Sequence, residues 1–349
     1  MTSGDKYFQK QRKIADGADM RTSRGFFSLM ERIGTEMQDT TGVMSIANPG
    51  QILDLCMAPG GYSASALKFN PRASVSGATL PEKLGGHKLF VRDGFRGASV
   101  RVWQGDLTSL VGDMGIDDGG IPEEHPDFGK FQKDEVWAGE QFDLVFCDGQ
   151  VLRNHSQDMA EHRQRCEARR LTCSQLLIAL RHVRVGGSIV VLLHKIDSWD
   201  TVLTLRAFDR FASIALFKPL AAHKARGSFY LIAKNVQPHH KDALVGIQDW
   251  TKAWKDATFH ALTGEGREDI FPGNGNESTA LGRHVTKVMD EFGERLVTLG
   301  ENTWKIQEEA IRKSHWFKEM KTEESSKAFT ANDLPDFVKQ VQEKLVVDG

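Results

Sequence analysis

Several features of common protein classes are scarce or missing in this chain of 349 residues. Its four cysteines lack the paired spacing of a metal site or a disulfide framework, which predicts a reducing compartment and no metal centre. No apolar run is long enough to span a bilayer, and the first residues lack the apolar core of a signal peptide. We therefore expect an intracellular protein of the cytoplasm or nucleus, neither secreted nor embedded in a membrane.

Charge of one sign is not in excess either. Lys and Arg number 45 and Asp and Glu number 47, which gives a formal net charge of -2 at pH 7. Without a global basic field, any contact with nucleic acid must use a local basic patch. One arginine cluster is a candidate, but the interleaved Glu161 and Glu167 favour a solvated helix face over a track for phosphates. Its members are Arg163, Arg165, Arg169 and Arg170.

Three regions of the chain differ in pattern. Residues 1–48 have mixed charge and an amphipathic stretch, which predicts an N-terminal helical segment packed on the domain behind it. Residues 49–236 alternate apolar runs with helical patterns, as in a parallel α/β sheet, and about 112–140 predict an acidic surface insertion. Residues 237–349 carry apolar residues at helical spacing and predict a helical C-terminal extension.

Short apolar runs in the middle region predict seven strands. They are Ile52–Cys56, Ala73–Ala78, Val100–Trp103, Phe142–Cys147, Ser188–Leu193, Ser213–Phe217 and Ser228–Ala233. Helices are predicted at Ser63–Lys68, at about Gln157–His182 and at Trp199–Phe211. The pair Gly186-Gly187 is expected to end the long helix before the fifth strand. The alternation predicts a doubly wound, Rossmann-like sheet with helices on both faces.

The most informative segment runs from Ile52 to Ser63 and reads ILDLCMAPGGYS. An apolar strand ends in a Pro-Gly-Gly turn and a helical pattern follows, which is typical of the first βα unit of a doubly wound sheet. Glycines in the turn allow the backbone to approach a ligand closely. The turn lacks the Gly-Lys-Ser/Thr end of a P-loop and the three spaced glycines of a dinucleotide fingerprint.

This segment resembles motif I of S-adenosylmethionine (SAM) methyltransferases, and more narrowly that of the FtsJ-like (RrmJ) family of RNA ribose 2′-O-methyltransferases. Further segments match that family in order over about residues 6–236. They read RTSRGFFSL from Arg21, QGDL from Gln104, FDLVFCDG from Phe142 and KPLAAHKARGSFYLIA from Lys218. The resemblance implies SAM as the cofactor and the methylation of RNA, of the kind seen in rRNA processing, as the activity.

The resemblance also implies where SAM is bound. The cofactor-binding residues that it implies are Gly60, Gly61, Tyr62, Thr79, Asp106 and Asp148. Gly60 and Tyr62 border the methionine part, Asp106 meets the adenine side and Asp148 lies beside the transferable methyl group. The family's acid for the ribose hydroxyls is replaced by Thr79, which can offer only a neutral hydrogen bond.

The family's chemistry depends on a Lys-Asp-Lys-Glu tetrad, of which this chain keeps only Asp148. The other three positions are occupied by Ser28, Leu192 and Ser228. His194 is expected on the same side of the pleat as Leu192, and an imidazole can act as a base near neutral pH. Lys195 reaches the site only if a bulge or the strand end redirects it. Asp148, Lys195 and His194 are therefore the candidate catalytic residues.

Three functions remain open from the sequence. The first is a SAM-dependent methyltransferase acting on RNA ribose, with RNA bound by a local patch. The second is a catalytically impaired protein of the same fold that binds RNA or protein, which the loss of three tetrad residues favours. The third is a small-molecule methyltransferase, which agrees with the near-neutral charge. The fold alone does not separate these three functions.

Overall fold

A seven-stranded sheet forms the centre of the protein. The computed structural model describes residues 20–47, 49–117, 121–151, 161–164, 166–259 and 280–315. The strands are Gln51–Leu55 (β1), Ser74–Thr79 (β2), Val100–Gln104 (β3), Phe142–Cys147 (β4), Val183–His194 (β5), Ser213–Phe217 (β6) and Ser228–Lys234 (β7). Each strand predicted from the sequence is present, and β5 begins earlier than its apolar pattern indicates.

The strand order determines where a ligand can bind. The strands lie in the order β3-β2-β1-β4-β5-β7-β6, and β7 runs antiparallel to both of its neighbours. Because β1 pairs with β2 on one side and with β4 on the other, the winding reverses between β1 and β4. Open α/β sheets bind ligands outside the carboxyl ends of their strands at such a switch point. The sheet confirms the predicted Rossmann-like α/β fold.

Helices cover both faces of the sheet. They are Met20–Thr41 (α1), Gly61–Phe69 (α2), Val111–Met114 (α3), Glu161–Gln164 (α4), Glu167–His182 (α5), Trp199–Asp209 (α6), Lys241–Phe259 (α7) and Ala280–Lys313 (α8). One apolar core lies under α1 and α2 and contains Ile33 and Leu67. The other lies under α5 to α8 and contains Leu176, Trp254 and Phe292.

The strand β4 shows why the central strands read as continuous apolar runs. All its residues are buried, with Leu144 and Phe146 in the core under α1 and α2. Val145 and Cys147 lie in the core under α5 to α8. A strand covered by helices on both faces has no solvent side, so the alternation of polar and apolar residues disappears.

Two local features differ from the sequence prediction. The long helix ends at His182 and the strand begins at Val183, so Gly186-Gly187 lies inside β5, where the Gly186 N–H donates to the Val236 carbonyl. The predicted surface insertion contributes to the core, because Phe131 and Trp137 are buried there. The buried Asp113 carboxylate accepts the backbone N–H of Trp137 and so ties this segment to α3.

The helices α7 and α8 confirm the predicted helical character of the C-terminal extension. Trp254 of α7 and Leu296 of α8 are fully buried in the core that covers β5 and β7. Outside the cores, Glu291 of α8 accepts a hydrogen bond from Arg210, which follows α6. No helix among the described residues has both the length and the apolarity that a bilayer span requires.

Candidate functional site

The turn between β1 and α2 requires glycine for its packing. Gly60 has a φ of 103°, in the left-handed region that favours glycine. A Cβ atom on Gly60 would lie 2.8 Å from Val91 Cγ2, and one on Gly61 would lie 2.4 Å from Met30 Cβ. The two glycines therefore allow the turn to fit between α1 and the segment at Val91. This requirement holds whether or not the turn also borders a ligand.

Three carboxyl groups lie near one another at the carboxyl ends of β1, β3 and β4. Asp54 belongs to β1, Asp106 follows β3 and Asp148 follows β4. Burial raises the pKa of the Cys56 thiol, and the three carboxylates raise it further, which places all three within electrostatic reach of Cys56. We call Asp54, Asp106 and Asp148 the carboxyl cluster.

Asp148 is the member of the carboxyl cluster whose charge is least compensated. Burial raises its pKa to about 8, the Tyr230 hydroxyl lowers it and the Asp54 carboxylate raises it. The Tyr230 hydroxyl donates to Asp148 Oδ1 at 3.1 Å, and the Tyr62 hydroxyl lies 2.5 Å from the Tyr230 hydroxyl. Among the described residues, no cationic side chain forms an ion pair with Asp148.

Asp54 is buried between β1 and α2. Burial raises its pKa to about 7, and hydrogen bonds from Ser63 lower it. The Ser63 hydroxyl donates to Asp54 Oδ2 at 2.5 Å, so this carboxyl group fixes the start of α2 against the strand. Asp54 is not exposed, and it affects the site by raising the pKa of Asp148 and of Cys56.

Asp106 has protein partners for both of its carboxylate oxygens. Its Oδ1 accepts the Thr108 N–H at 3.0 Å, and its Oδ2 lies 2.5 Å from the Arg163 guanidinium. Burial acts to raise the pKa of Asp106, but Arg163 outweighs it and the pKa lies below its usual range. Arg163 also pairs with Glu167 at 2.7 Å. The predicted solvated helix face is wrong for Arg163, because its side chain is largely covered and pairs with Asp106 from a distant segment.

Thr79 is the last residue of β2 and is buried. Its carbonyl oxygen accepts the Gly105 N–H at 3.0 Å, which holds the turn after β3 against β2. Thr79 and Asp106 thus lie at the ends of neighbouring strands, in the positions that the sequence predicted for the nucleoside half of SAM. Their contacts with a cofactor stay predictions.

Leu192, which the resemblance aligns with the family's central lysine, lies between Asp148 and Tyr230 in the sheet. Leu192 is paired with Tyr230 in the antiparallel register of β5 and β7. On the other side, Cys147 is paired with Val191, so Asp148 follows at the level of Leu192. Leu192 is half-buried and packs against the core under α1 and α2. This face of the sheet therefore presents a carboxyl, an apolar side chain and a phenol in a row.

The two candidate bases lie beyond Leu192. His194 is the last residue of β5 and is paired with Ser228. Burial, Lys218 and Arg226 lower the pKa of His194, so its imidazole is neutral at pH 7.

Lys195 follows the strand with a φ of 49°, and its backbone N–H donates to the Gly227 carbonyl. Its side chain is exposed and runs along Gly227, since a Cβ there would lie 3.4 Å from Lys195 Cγ. Of the two, only His194 lies on the same face of β5 as Leu192.

Sequence reasoning missed Tyr230 as a site residue. The sequence contains three tyrosines, and the hydroxyls of Tyr62 and Tyr230 meet beside Asp148. The signal was available, because Tyr230 lies within the Lys-Pro segment that resembles the family. Ser28 is exposed on α1, and the Ser228 carbonyl accepts a hydrogen bond from the Lys218 ammonium; their alignment with the family's tetrad stays a prediction.

A model of the FtsJ-like methyltransferase family matches residues 23–236 of this chain. Among solved structures, a Plasmodium falciparum protein assigned as a ribosomal RNA methyltransferase is 17% identical, with a TM-score of 0.34. That alignment covers 58% of this chain and 93% of the other. Human methyltransferase-like protein 13, in complex with SAH, is 11% identical with a TM-score of 0.35, over 74% of this chain and 96% of the other.

An rRNA methylase from Streptococcus thermophilus is 10% identical with a TM-score of 0.31, over 60% of this chain and 94% of the other. No curated protein matches the sequence. The TM-scores are too low to support an argument, and the fold is therefore assigned from the strand order of this chain.

Proposed function

Because the chain belongs to the FtsJ-like methyltransferase family, we propose that it transfers a methyl group from SAM to a ribose 2′-hydroxyl of RNA. The family match and the strand order support a methyltransferase. The cofactor, the RNA substrate and the acceptor hydroxyl are the parts that we propose. They rest on the chemistry of the side chains at the switch point.

The observation that carries the proposal is the carboxyl group of Asp148, which is half-buried and has no cationic partner among the described residues. A buried carboxylate without a cationic partner is costly, and this cost is why its pKa rises to about 8. SAM has a positively charged sulfur and an amino group that can carry a charge. A ligand with this chemistry would compensate Asp148, so the residues present fit the cofactor.

Other residues would hold the remaining parts of SAM. Gly60, Gly61 and Tyr62 follow β1 and would border the methionine part. Thr79 and Asp106 would meet the nucleoside half. Arg163 already donates to Asp106 Oδ2. Asp106 would therefore accept a hydrogen bond from the adenine amino group in addition to the one from Arg163.

SAM, when bound, supplies a methyl group on a positively charged sulfur, and the products are a neutral thioether, a methyl ether and a proton. The protein must orient the acceptor hydroxyl and remove that proton. Alignment of the two reactants can supply about 7–11 kcal/mol in well-oriented systems. We assign the removal of this proton to the neutral imidazole of His194. His194 lies on the same face of β5 as Leu192, which is level with Asp148. Lys195 is the competing candidate.

A second candidate function is a binding protein of the same fold without catalysis. Leu192 favours it, because an apolar side chain between Asp148 and Tyr230 cannot accept a proton. In this case SAM could still bind, but no methyl group would be transferred.

The test is methyl transfer from radiolabelled SAM to total RNA, followed by nuclease digestion and separation of the nucleosides. The variants are Asp148→Asn, His194→Gln and Lys195→Met, with Asp39→Asn at an exposed position of α1 as the matched control. We expect ribose-labelled nucleosides from the native protein and the control, and a loss of label with Asp148→Asn and His194→Gln.

Label on a base, or equal label from native protein and Asp148→Asn, would contradict the proposed reaction. Calorimetric SAM binding without any transfer would establish the second candidate instead. A loss with Lys195→Met and none with His194→Gln would move the base to Lys195.

A further inference from the structure

A chain of buried polar contacts connects helix α7 to the end of β3. It begins at Thr258, which lies in the last turn of α7 and is 2% exposed. It ends at Asp106, the carboxyl group that the resemblance assigns to the nucleoside half of the cofactor. The helix α7 follows residue 236, where the match to the FtsJ-like family ends. An element outside the family match is thus joined to the proposed cofactor site.

The first contact of the chain is between Thr258 and Arg170 of α5. The Arg170 Nε–H donates to the Thr258 hydroxyl at 3.1 Å, and that hydroxyl donates to the Trp254 carbonyl at 2.7 Å. The Arg170 guanidinium also lies 6.0 Å from the centre of the Trp254 ring. Because Arg170 is 2% exposed, its donors need partners inside the protein, and Thr258 supplies one of them.

Glu167 joins two arginines and so continues the chain to Asp106. Its Oε2 accepts a hydrogen bond from Arg170 at 3.0 Å, and its Oε1 accepts one from Arg163 at 2.7 Å. The Arg163 guanidinium then donates to Asp106 Oδ2 at 2.5 Å. We call Asp106, Arg163, Glu167 and Arg170 the arginine network.

A second set of contacts leads from Thr258 to the same network. The Asp127 N–H donates to His125 Nδ1 at 3.0 Å, so His125 Nε2 carries the ring proton and donates to the Thr258 carbonyl at 3.0 Å. The Asp127 carboxylate in turn lies 4.0 Å from Arg163 Nε. Thr258 therefore contacts the surroundings of Arg163 through its hydroxyl and through its backbone.

The charges of the arginine network depend on one another. Burial lowers the pKa of Arg170, the Glu167 carboxylate raises it, and the nearby Arg163 guanidinium lowers it again. The two guanidinium groups repel each other, so the place of Arg163 depends on the contacts that hold Arg170. Loss of the Thr258 hydroxyl would free one donor of Arg170 and would change how Arg163 meets Asp106.

We propose that Thr258 is a positioning residue for the cofactor, which acts through the arginine network to orient the Asp106 carboxylate toward the nucleoside half of SAM. The inference rests on the proposed function for its ligand. Hydrogen bonds behind a binding side chain fix its geometry without contacting the ligand. Asp106 follows β3, which is three strand positions from β4 and Asp148. Thr258 should therefore affect SAM binding and leave the chemical step unchanged.

The test is calorimetric titration of SAM into Thr258→Val and Thr258→Ser. Valine keeps the shape of threonine and removes the hydroxyl, whereas serine keeps the hydroxyl. The matched control is Thr204→Val, because Thr204 is a buried threonine of α6 whose hydroxyl donates to the Asp200 carbonyl. Among the described residues, Thr204 forms no hydrogen bond with the arginine network. Thr258→Val should weaken SAM binding about fivefold, and Thr258→Ser and Thr204→Val less than about twofold.

A double-mutant cycle separates positioning from a general loss of structure. In the Asp106→Asn background, Thr258→Val should change SAM affinity less than about twofold, because the carboxylate through which it acts is absent. In methyl-transfer assays, the KM for SAM should rise in Thr258→Val while kcat and the KM for RNA stay the same. A purely structural role would lower the free energy of unfolding in both valine variants and would not produce this pattern.

Equal SAM affinity in the native protein and Thr258→Val would overturn the inference, even if RNA is methylated. A loss that persists in the Asp106→Asn background, or that Thr258→Ser shows as well, would also overturn it. SAM binding that depends on Thr258, without any methyl transfer, would support the inference and refute the proposed transfer. An absence of SAM binding in the native protein would refute both the proposed cofactor and this inference.

Discussion

Asp148 and Lys218 are groups of opposite charge, yet they follow strands of one sheet, β4 and β6. Asp148 is a half-buried acid whose only described hydrogen bond comes from the Tyr230 hydroxyl. Lys218 is a buried base whose described acceptors are two backbone carbonyls. Burial raises the pKa of the acid and lowers the pKa of the base, each toward about 8.

The contrast with Asp106 and Arg163 shows what this means. That acid and that base are paired at 2.5 Å, and the pKa of Asp106 falls as expected for a structural ion pair. Asp148 and Lys218 are not paired with each other or with another charge among the described residues. The charge of Asp148 is therefore without a partner among the described residues, and it is the charge that the proposed cationic cofactor would compensate.

The largest effect is expected from Asp148→Asn, which removes the negative charge of this carboxyl group. Loss of a buried charge partner costs about 2–5 kcal/mol, so SAM should bind at least about 30-fold more weakly. Calorimetry measures this directly, with Asp39→Asn as the control for the loss of one negative charge. RNA binding should be retained, and an equal loss of both ligands would indicate unfolding instead.

The second effect is the pH dependence of SAM binding. Below its pKa of about 8, Asp148 must lose a proton to bind a cation, so SAM affinity should rise about tenfold per pH unit up to pH 8. Asp148→Asn lacks this titrating group, so its SAM affinity should not change over the same pH range. An equal rise of SAM affinity with pH in Asp148→Asn would contradict the assignment to Asp148.

Leu192→Lys should sharpen the comparison by placing a cation beside Asp148. The lysine would lower the pKa of Asp148, and the pH dependence of SAM binding between pH 6 and 8 should disappear. If the acceptor is a ribose hydroxyl, the rate of methyl transfer should rise about tenfold, since a base then lies at the family's central position. An unchanged pH profile would mean that residue 192 does not adjoin Asp148.

Tyr230→Phe should have a smaller effect of the same sign as Asp148→Asn. Without the phenol, the pKa of Asp148 rises, and SAM should bind about threefold more weakly at pH 7 but nearly normally at pH 9. The free energy of unfolding should fall by about 1–3 kcal/mol, because the Tyr62 hydroxyl loses its partner. A loss of SAM affinity that is equal at pH 7 and 9 would argue for a purely structural role.

The sequence predicts the sheet well because its strands are buried apolar runs between turns. Phe142–Cys147 is predicted with the bounds that the structure has, and the glycines of the β1 turn are found where the pattern places them. Those signals are local, so one chain is enough to recognise them.

The side-chain partners depend on tertiary structure and could not be predicted in this way. Tyr230 meets Asp148 only because β7 inserts beside β5, and 82 residues separate the two in sequence. Arg163 reaches Asp106 across 57 residues. The insertion around Trp137 is polar in composition, and its few apolar side chains are the ones that enter the core.

The central claim is that the ionised Asp148 carboxylate receives the cationic cofactor, and proton release measures it most directly. SAM is titrated into the protein by calorimetry at pH 7 in two buffers of different ionisation enthalpy. With a pKa of about 8 in the free protein, Asp148 should release close to one proton per SAM bound, and Asp148→Asn should abolish this release. SAM binding without proton release, or with the same release in Asp148→Asn, would contradict the account.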